Sequence, residues 1–212
     1  MRLSVNALFR IHVSPIFPWE KRTGNLVVRT PRGFHPRHVT SRLCVEMLAK
    51  HRTKLEGGTF LDVGCASGIL ALAAARLGAR WAVGVDVHGP SVWGAARNAL
   101  ENAMETQSAW VVGSVDCVRG SFSFVAANVP WHVWLEIGWE TMQRVAVDGL
   151  LLVSGFQDLH LAPVMAQLKE AGFVVLERSR GDESFFGIPP SGSYTWMAVL
   201  ALRTDPGAGS RP

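Results

Sequence analysis

The sequence predicts a doubly wound α/β fold: a seven-stranded, mostly parallel sheet closed by a C-terminal antiparallel hairpin. Three observations predict it. From Thr59 onward, short apolar runs alternate with segments of helical period, which is the pattern of a parallel sheet covered by helices on both faces. The first strand-like run passes into the first helical one through a tight turn flanked by Gly64 and Gly68. The last two strand-like runs are joined by a long Gly- and Pro-rich loop without a helix, so they pair as antiparallel neighbours.

Each element follows in order. Residues 40–51 read as a helix with Thr40 or Ser41 as N-cap. Residues 59–63 (TFLDV) are a buried strand, and 68–77 (GILALAAARL) a helix stopped by Gly78. Residues 81–86 (WAVGVD) form the second strand, and a helix starts at Pro90, a residue suited to a first helical position. Strands three and four are expected over 109–113 and 122–127, a helix over 131–147, and strand five over 149–154. A helix over 159–171 ends at Gly172, and strands over 173–178 and 194–203 complete the sheet. The domain plan is a basic leader or substrate cap over 1–35, a catalytic-type unit over 36–203, and a disordered tail over 204–212.

Composition bounds the function. The chain has 212 residues, is 48% hydrophobic and 18% charged, which excludes intrinsic disorder and leaves ample material for one core. Mean hydropathy is +0.18, yet no apolar run is long enough to cross a membrane. Residues 1–19 lack the apolar core and cleavage site of a signal peptide. Cys44, Cys65 and Cys117 are widely spaced and form no C-x-x-C pair, so neither a zinc site nor a disulfide framework is expected, and the chain reads as cytoplasmic. The net charge of +4 is uneven: residues 1–54 carry 11 Lys and Arg against two acids, Glu20 and Glu46. A basic leader on a mildly acidic body attracts something anionic, or is simply a solvated face.

The turn after the first strand, L-D-V-G-C-A-S-G (61–68), exposes helix N–H groups to an anionic ligand. Asp86 ends the second strand, the place for a carboxylate that accepts hydrogen bonds from two ribose hydroxyls. A nucleoside-containing cofactor follows. The nicotinamide fingerprint would need glycines where Ala66 and Ile69 stand, and no P-loop G-K-[ST] occurs.

These segments, with the final hairpin, resemble the class I S-adenosylmethionine (SAM) methyltransferases, whose Rossmann-like sheet has seven strands with the last antiparallel. L-D-V-G-C-A-S-G-I-L-A-L-A-A-A-R-L-G-A, A-A-N-V-P-W-H-V-W-L-E-I and H-V-T-S-R-L-C-V-E-M-L (38–48) are similar to the PrmA-type ribosomal-protein methyltransferases over about residues 33–203. The resemblance implies SAM as cofactor and an amino or amide nitrogen of a protein, possibly ribosomal, as acceptor. It implies cofactor contacts at Thr40, Ser41, Asp62, Gly64, Cys65, Gly68, Asp86, Val87, Ser114, Asp116 and Asn128, and no metal. The sequence departs from the family in three places. Gly33-Phe34-His35-Pro36 replaces F-G-T-G. Ala66 replaces a glycine, a modest change if its φ stays negative. Ser114 stands where many such enzymes carry an acid, for which Asp116 is the nearby stand-in. The family's large N-terminal recognition domain has only about 35 residues as its counterpart here.

Asn128-Val129-Pro130-Trp131 also resembles the [N/D/S]-x-P-[Y/F/W] motif of enzymes that methylate amino groups of bases and glutamine. The Asn128 oxygen and the carbonyl near Pro130 can accept N–H bonds from the target nitrogen and aim its lone pair. Trp131 can stack on a flat substrate or hold a cation. The catalytic candidates are therefore Asn128, Pro130 and Trp131. The N-V-P-W motif leaves a nucleic-acid base or a small planar amine open as acceptor, with the basic leader gripping phosphate, and a degenerate fold acting as a binding subunit is the third reading. His35-x-x-His38 with Cys44 lacks the further ligands of a metal site, and His132 is either a proton acceptor or a solvent-facing side chain. Trp134 is expected in the core.

Overall fold

In the computed structural model the described residues are 2–5, 9–13, 25–29, 38–182 and 195–204. Their elements are β1 (Arg2–Val5), β2 (Phe9–Val13), β3 (Asn25–Val28), α1 (Val39–Lys50), β4 (Thr59–Val63), α2 (Ile69–Arg76), β5 (Trp81–Asp86), α3 (Gly89–Glu101), β6 (Ser108–Val112), β7 (Phe122–Asn128), α4 (Trp131–Gln143), β8 (Val145–Gln157), α5 (Leu161–Glu170), β9 (Phe173–Gly181) and β10 (Trp196–Arg203). The main sheet has seven strands in the order β6-β5-β4-β7-β8-β10-β9. β6, β5, β4, β7 and β8 run parallel, and β10 is antiparallel to both β8 and β9. The predicted fold class is the observed one.

Alternation along the central strands fills both faces. Phe60, Phe124, Leu150 and Leu152 point to the layer of α1 and α2; Leu61, Val125, Leu151 and Val153 point to that of α4 and α5. Strands buried on both sides read as continuous apolar runs, which accounts for the high hydrophobic fraction. Trp134 is fully buried in the second layer, and its indole N–H donates to Gln167 Oε1 at 2.8 Å.

Four local expectations are corrected. The helix expected over 131–147 ends at Gln143, and β8 begins at Val145, four residues before the expected start. The β-branched Val145 pairs with Phe122, and Asp148 takes a φ of 59° beside a register shift between β7 and β8; this bulge hides the period of two. Thr40 and Ser41 lie inside α1, buried, while His38 is the N-cap, its Nδ1 accepting from the Thr40 N–H at 3.3 Å. A 3-10 turn, Asp158–His160, precedes α5. The leader contains strands: β1 pairs antiparallel with β2, and β2 parallel with β3. The altered loop 33–36 and most of the tail lie outside the described residues.

β3 is held by side chains that imitate a neighbouring strand. Asn102 accepts from the Val27 N–H (2.9 Å) and donates to the Val27 carbonyl (2.7 Å). Asn98, one helical turn earlier, does the same for Arg29 (2.9 and 3.0 Å) and also donates to the Ser67 carbonyl in the glycine turn (2.9 Å). Arg29 Nε meets Glu101 at 2.6 Å. The N-terminal sheet is thus fastened to the helix that follows Asp86.

Candidate functional site

The strand order reverses between β4 and β7, and a ligand crevice is expected at the carboxyl ends of the strands there. A cavity of about 700 Å³ opens at this place, lined by Gly64, Ala66, Asp86, Val87, His88 and Ser114 on one side. Asn128, Val129, Pro130, Val133, Glu136 and Ile137 line the other. A smaller hollow of about 30 Å³ adjoins it through the shared Gly64, Ala66 and Asn128, and adds Ser41, Asp62 and Cys65. Cavities of several hundred Å³ suit a cofactor-sized ligand.

Asp86 organises one end. Its Oδ2 accepts from the Ala66 N–H and its Oδ1 from the His88 N–H, each at 2.9 Å. Each carboxylate oxygen keeps a further lone pair for a ligand hydroxyl. Ala66 carries a φ of +45°, so the expectation of a negative φ is corrected: the position requires the left-handed region, and alanine is strained there. Replacing Ala66 with Gly should therefore stabilise the fold by about 1 kcal/mol after the added flexibility of the unfolded chain. Thermal unfolding should show a melting temperature roughly 2–3 °C higher; a lower one would mean the methyl group packs usefully.

The two motif glycines serve different ends. Gly64, φ +71°, lines both cavities, and a Cβ there would meet Val129 Cγ1 at 2.5 Å. Gly68 does not line either; a Cβ on it would enter the ring of Trp110 at 2.5 Å, and so would one on Gly84. Gly68 is thus a packing glycine under Trp110.

Asp62 is fully buried, with Oδ2 accepting from the Ala71 N–H at 3.1 Å. Burial pushes its carboxyl up to about 7; the Ala71 N–H opposes this, and the Asp86 charge adds to it. The folded protein therefore holds a proton that the unfolded chain, ionising near 3.8, has lost. Stability should fall as pH rises between those values and level off above the upper one. Melting temperatures of the ligand-free protein from about pH 5 to about pH 8 should decline, and Asp62→Asn should flatten the slope. Equal slopes in the two proteins would move the cause elsewhere. The Cys65 thiol is raised by burial and by the Asp62 and Asp86 charges, and burial pushes Cys44 up to about 12. Neither is a nucleophile at neutral pH.

At the other end, Asn128 closes β7. Its Nδ2 donates to Ser41 Oγ at 3.4 Å, which turns Oδ1 away from α1. That Oδ1 is buried and has no hydrogen-bond partner among the described residues, a costly state for a polar atom unless a ligand completes it. Pro130 lines the cavity, but its carbonyl already accepts from the Trp134 N–H at 3.0 Å as the first bond of α4. Trp131 stacks on His160, ring centroids 4.6 Å apart, and does not line the cavity. Thr40 is buried and bonded to His38 at 2.9 Å, outside both hollows. Asp116 is exposed and also lies outside, whereas Ser114 and Val115 line the wall. Thus Ser41, Asp62, Gly64, Cys65, Asp86, Val87, Ser114, Asn128 and Pro130 come together; Thr40, Gly68, Asp116 and Trp131 stand apart.

Sequence reasoning missed several neighbours. Val133, Glu136 and Ile137 follow the motif at helical spacing, a signal that was available. Gly155, φ +91°, lies so close under the Val129 peptide that any Cβ would collide with the Val129 carbonyl; only the bulged course of β8 reveals it. Among the described residues no cluster of His, Cys, Asp and Glu could hold a metal, and no helix is long and apolar enough to cross a membrane.

Sheet order, glycine turn and strand-end carboxylate are those of the class I SAM-methyltransferase fold. Residues 33–184 match the family model described as ribosomal protein L11 methyltransferase (PrmA), and the chain belongs to that family. Relatives named ribosomal protein L11 methyltransferase include those of Desulfosudis oleivorans, 34% identical over 79% of this chain, and Pelotomaculum thermopropionicum, 35% identical over 82%. The chain covers 52% and 58% of those two proteins, so it spans little more than half their length. The crystal structure of the ribosomal protein L11 methylase from Lactobacillus delbrueckii subsp. bulgaricus is similar in fold, with a TM-score of 0.76 at 24% identity, over 96% of this chain and 98% of that one. Magnesium protoporphyrin IX methyltransferase from Synechocystis, crystallised with SAM, shares the fold at a TM-score of 0.63 and 18% identity, over 81% of this chain and 87% of that one.

Proposed function

We infer that this chain binds SAM and transfers its methyl group to a nitrogen of a protein, with a ribosomal protein of the L11 kind as acceptor. Its relatives' names support the substrate. The observation that carries the chemistry is Asn128 on the wall of a cofactor-sized cavity, its buried Oδ1 without a partner among the described residues. On this reading residues 36–203 are the catalytic unit, 1–35 a substrate-facing cap, 204–212 a tail outside both, and the protein works in the cytoplasm beside its ribosomal partner.

The residues fit the cofactor. Asp86 would take the ribose hydroxyls, with Val87, Ser114 and Val115 walling the adenine. The small hollow of Ser41, Asp62, Gly64 and Cys65 would take the amino-acid end. When bound, SAM supplies an activated methyl group, so the protein need not activate a leaving group. What remains for the chain is positioning. Asn128 Oδ1 accepts an N–H of the incoming nitrogen and fixes the direction of its lone pair. Val129, Val133 and Ile137 exclude water from that end. A lysine acceptor must first shed a proton, since its ordinary pKa is about 10.4, whereas an amide need not.

The test is a titration with SAM followed by transfer of labelled methyl to separated ribosomal protein and RNA. Label in a protein of L11 size supports the reading. Label confined to RNA would transfer the site to a nucleic-acid acceptor, and absence of SAM binding would leave only a degenerate binding subunit.

A further inference from the structure

The face of α4 that turns away from the core carries two parallel rows. One row is apolar: it starts beside the half-buried Trp131, stacked on His160, and continues through the exposed Leu135 (56%) and Trp139 (51%) at successive four-residue steps. Beside it run His132, Glu136 and Glu140, all exposed at the same spacing. Residues four apart lie on one side of a helix, about 6 Å further along its axis at each step. Both rows therefore lead away from the acceptor motif, and Glu136 also lines the cavity.

The charge on this face is one-sided. α4 holds no Lys or Arg over its whole length, and neither Glu136 nor Glu140 forms a salt bridge with a described residue. Elsewhere Glu101 and Glu177 are satisfied by Arg29, Arg97, Lys50 and His51. An exposed tryptophan and leucine beside carboxylates without a salt bridge suit lysine and arginine side chains. Leu135 and Trp139 cover the aliphatic stems and the Trp139 indole faces the cation, while the carboxylates take its charge.

We propose that the outer face of α4 is the docking strip for a basic stretch of the acceptor protein, next in chain to the nitrogen that enters the cavity. The idea rests on the protein-acceptor reading above and deepens it, because any segment flanking a nitrogen at Asn128 can pass over the start of α4. The strip would act on acceptor binding and not on the cofactor.

A fluorescent decapeptide of alternating lysine and alanine serves as probe, with anisotropy read at low and high salt on the full chain. The wild type should bind it in a salt-dependent way. Glu140→Lys should weaken binding about tenfold and Trp139→Ala about fivefold, with SAM affinity by calorimetry unchanged in both. Glu105→Lys, an equal charge change at an exposed site on another surface, should leave the peptide affinity as it was. Three results overturn the strip: no peptide binding by the wild type, equal loss in Glu105→Lys, or wild-type binding by the α4 variants. A wild-type dimer in sedimentation that Trp139→Ala dissociates also overturns it, by assigning the face to a second copy. Failure of the wild type to bind SAM would instead strike the functional reading, so the two are told apart.

Discussion

Asn128→Ala should lower turnover about 100-fold while leaving SAM affinity within a factor of about two, because misplacement of a reacting nitrogen costs on that scale. The argument is local. Asn128 lines the cavity, its Nδ2 is held by Ser41 Oγ at 3.4 Å, and no described residue completes its buried Oδ1. The Pro130 carbonyl is already the first acceptor of α4, bonded by the Trp134 N–H, and is the weaker candidate to hold the nitrogen. Truncation removes an unsatisfied acceptor from the fold, so stability should hold or rise slightly. Asn128→Asp keeps an oxygen at the same place and should recover part of the turnover. The measurement is single-turnover methyl transfer with SAM in excess, beside calorimetry. A large loss of SAM affinity with unchanged turnover would show that Asn128 belongs to the cofactor end.

The sheet was legible because its signal is redundant. Thr59–Val63 and Trp81–Asp86 are apolar runs bounded by Gly and by a terminal carboxylate, and both strands fall where expected. The same applies to Asp86 and Asn128, since a parallel strand's carboxyl end faces the crevice whatever else the fold does. Illegible features depend on residues distant in sequence. The strands of the leader are only four or five residues long, and β3 is recruited by Asn98 and Asn102 some seventy residues away. Helical period continued past Gln143 because Val145–Asp148 enter β8 through a bulge. Ala66 looked harmless because a side chain's cost at a turn depends on φ, which composition does not reveal. The stacking of His160 on Trp131 is hidden in the same way, because His160 lies beyond the next strand.

Asp86→Ala should weaken SAM binding about 100-fold, roughly 2.7 kcal/mol, and so abolish the thermal shift that SAM gives the wild type. Hydrogen bonds to an ionised carboxylate contribute about 1.5–3 kcal/mol each, so loss of two ribose contacts accounts for the whole effect. The substitution also frees the N–H groups of Ala66 and His88, which lets the glycine turn and the start of α3 drift apart. Asp86→Asn separates the two contributions. It keeps one acceptor oxygen and the side-chain shape, so one of the two backbone contacts survives, and its affinity should fall only about tenfold. Adenosine alone should lose as much affinity as SAM does in both variants, since the carboxylate meets the sugar that they share. If adenosine binding were untouched while SAM binding collapsed, Asp86 would be acting on the charged end of the cofactor, and the orientation of the ligand in the cavity would have to be reversed.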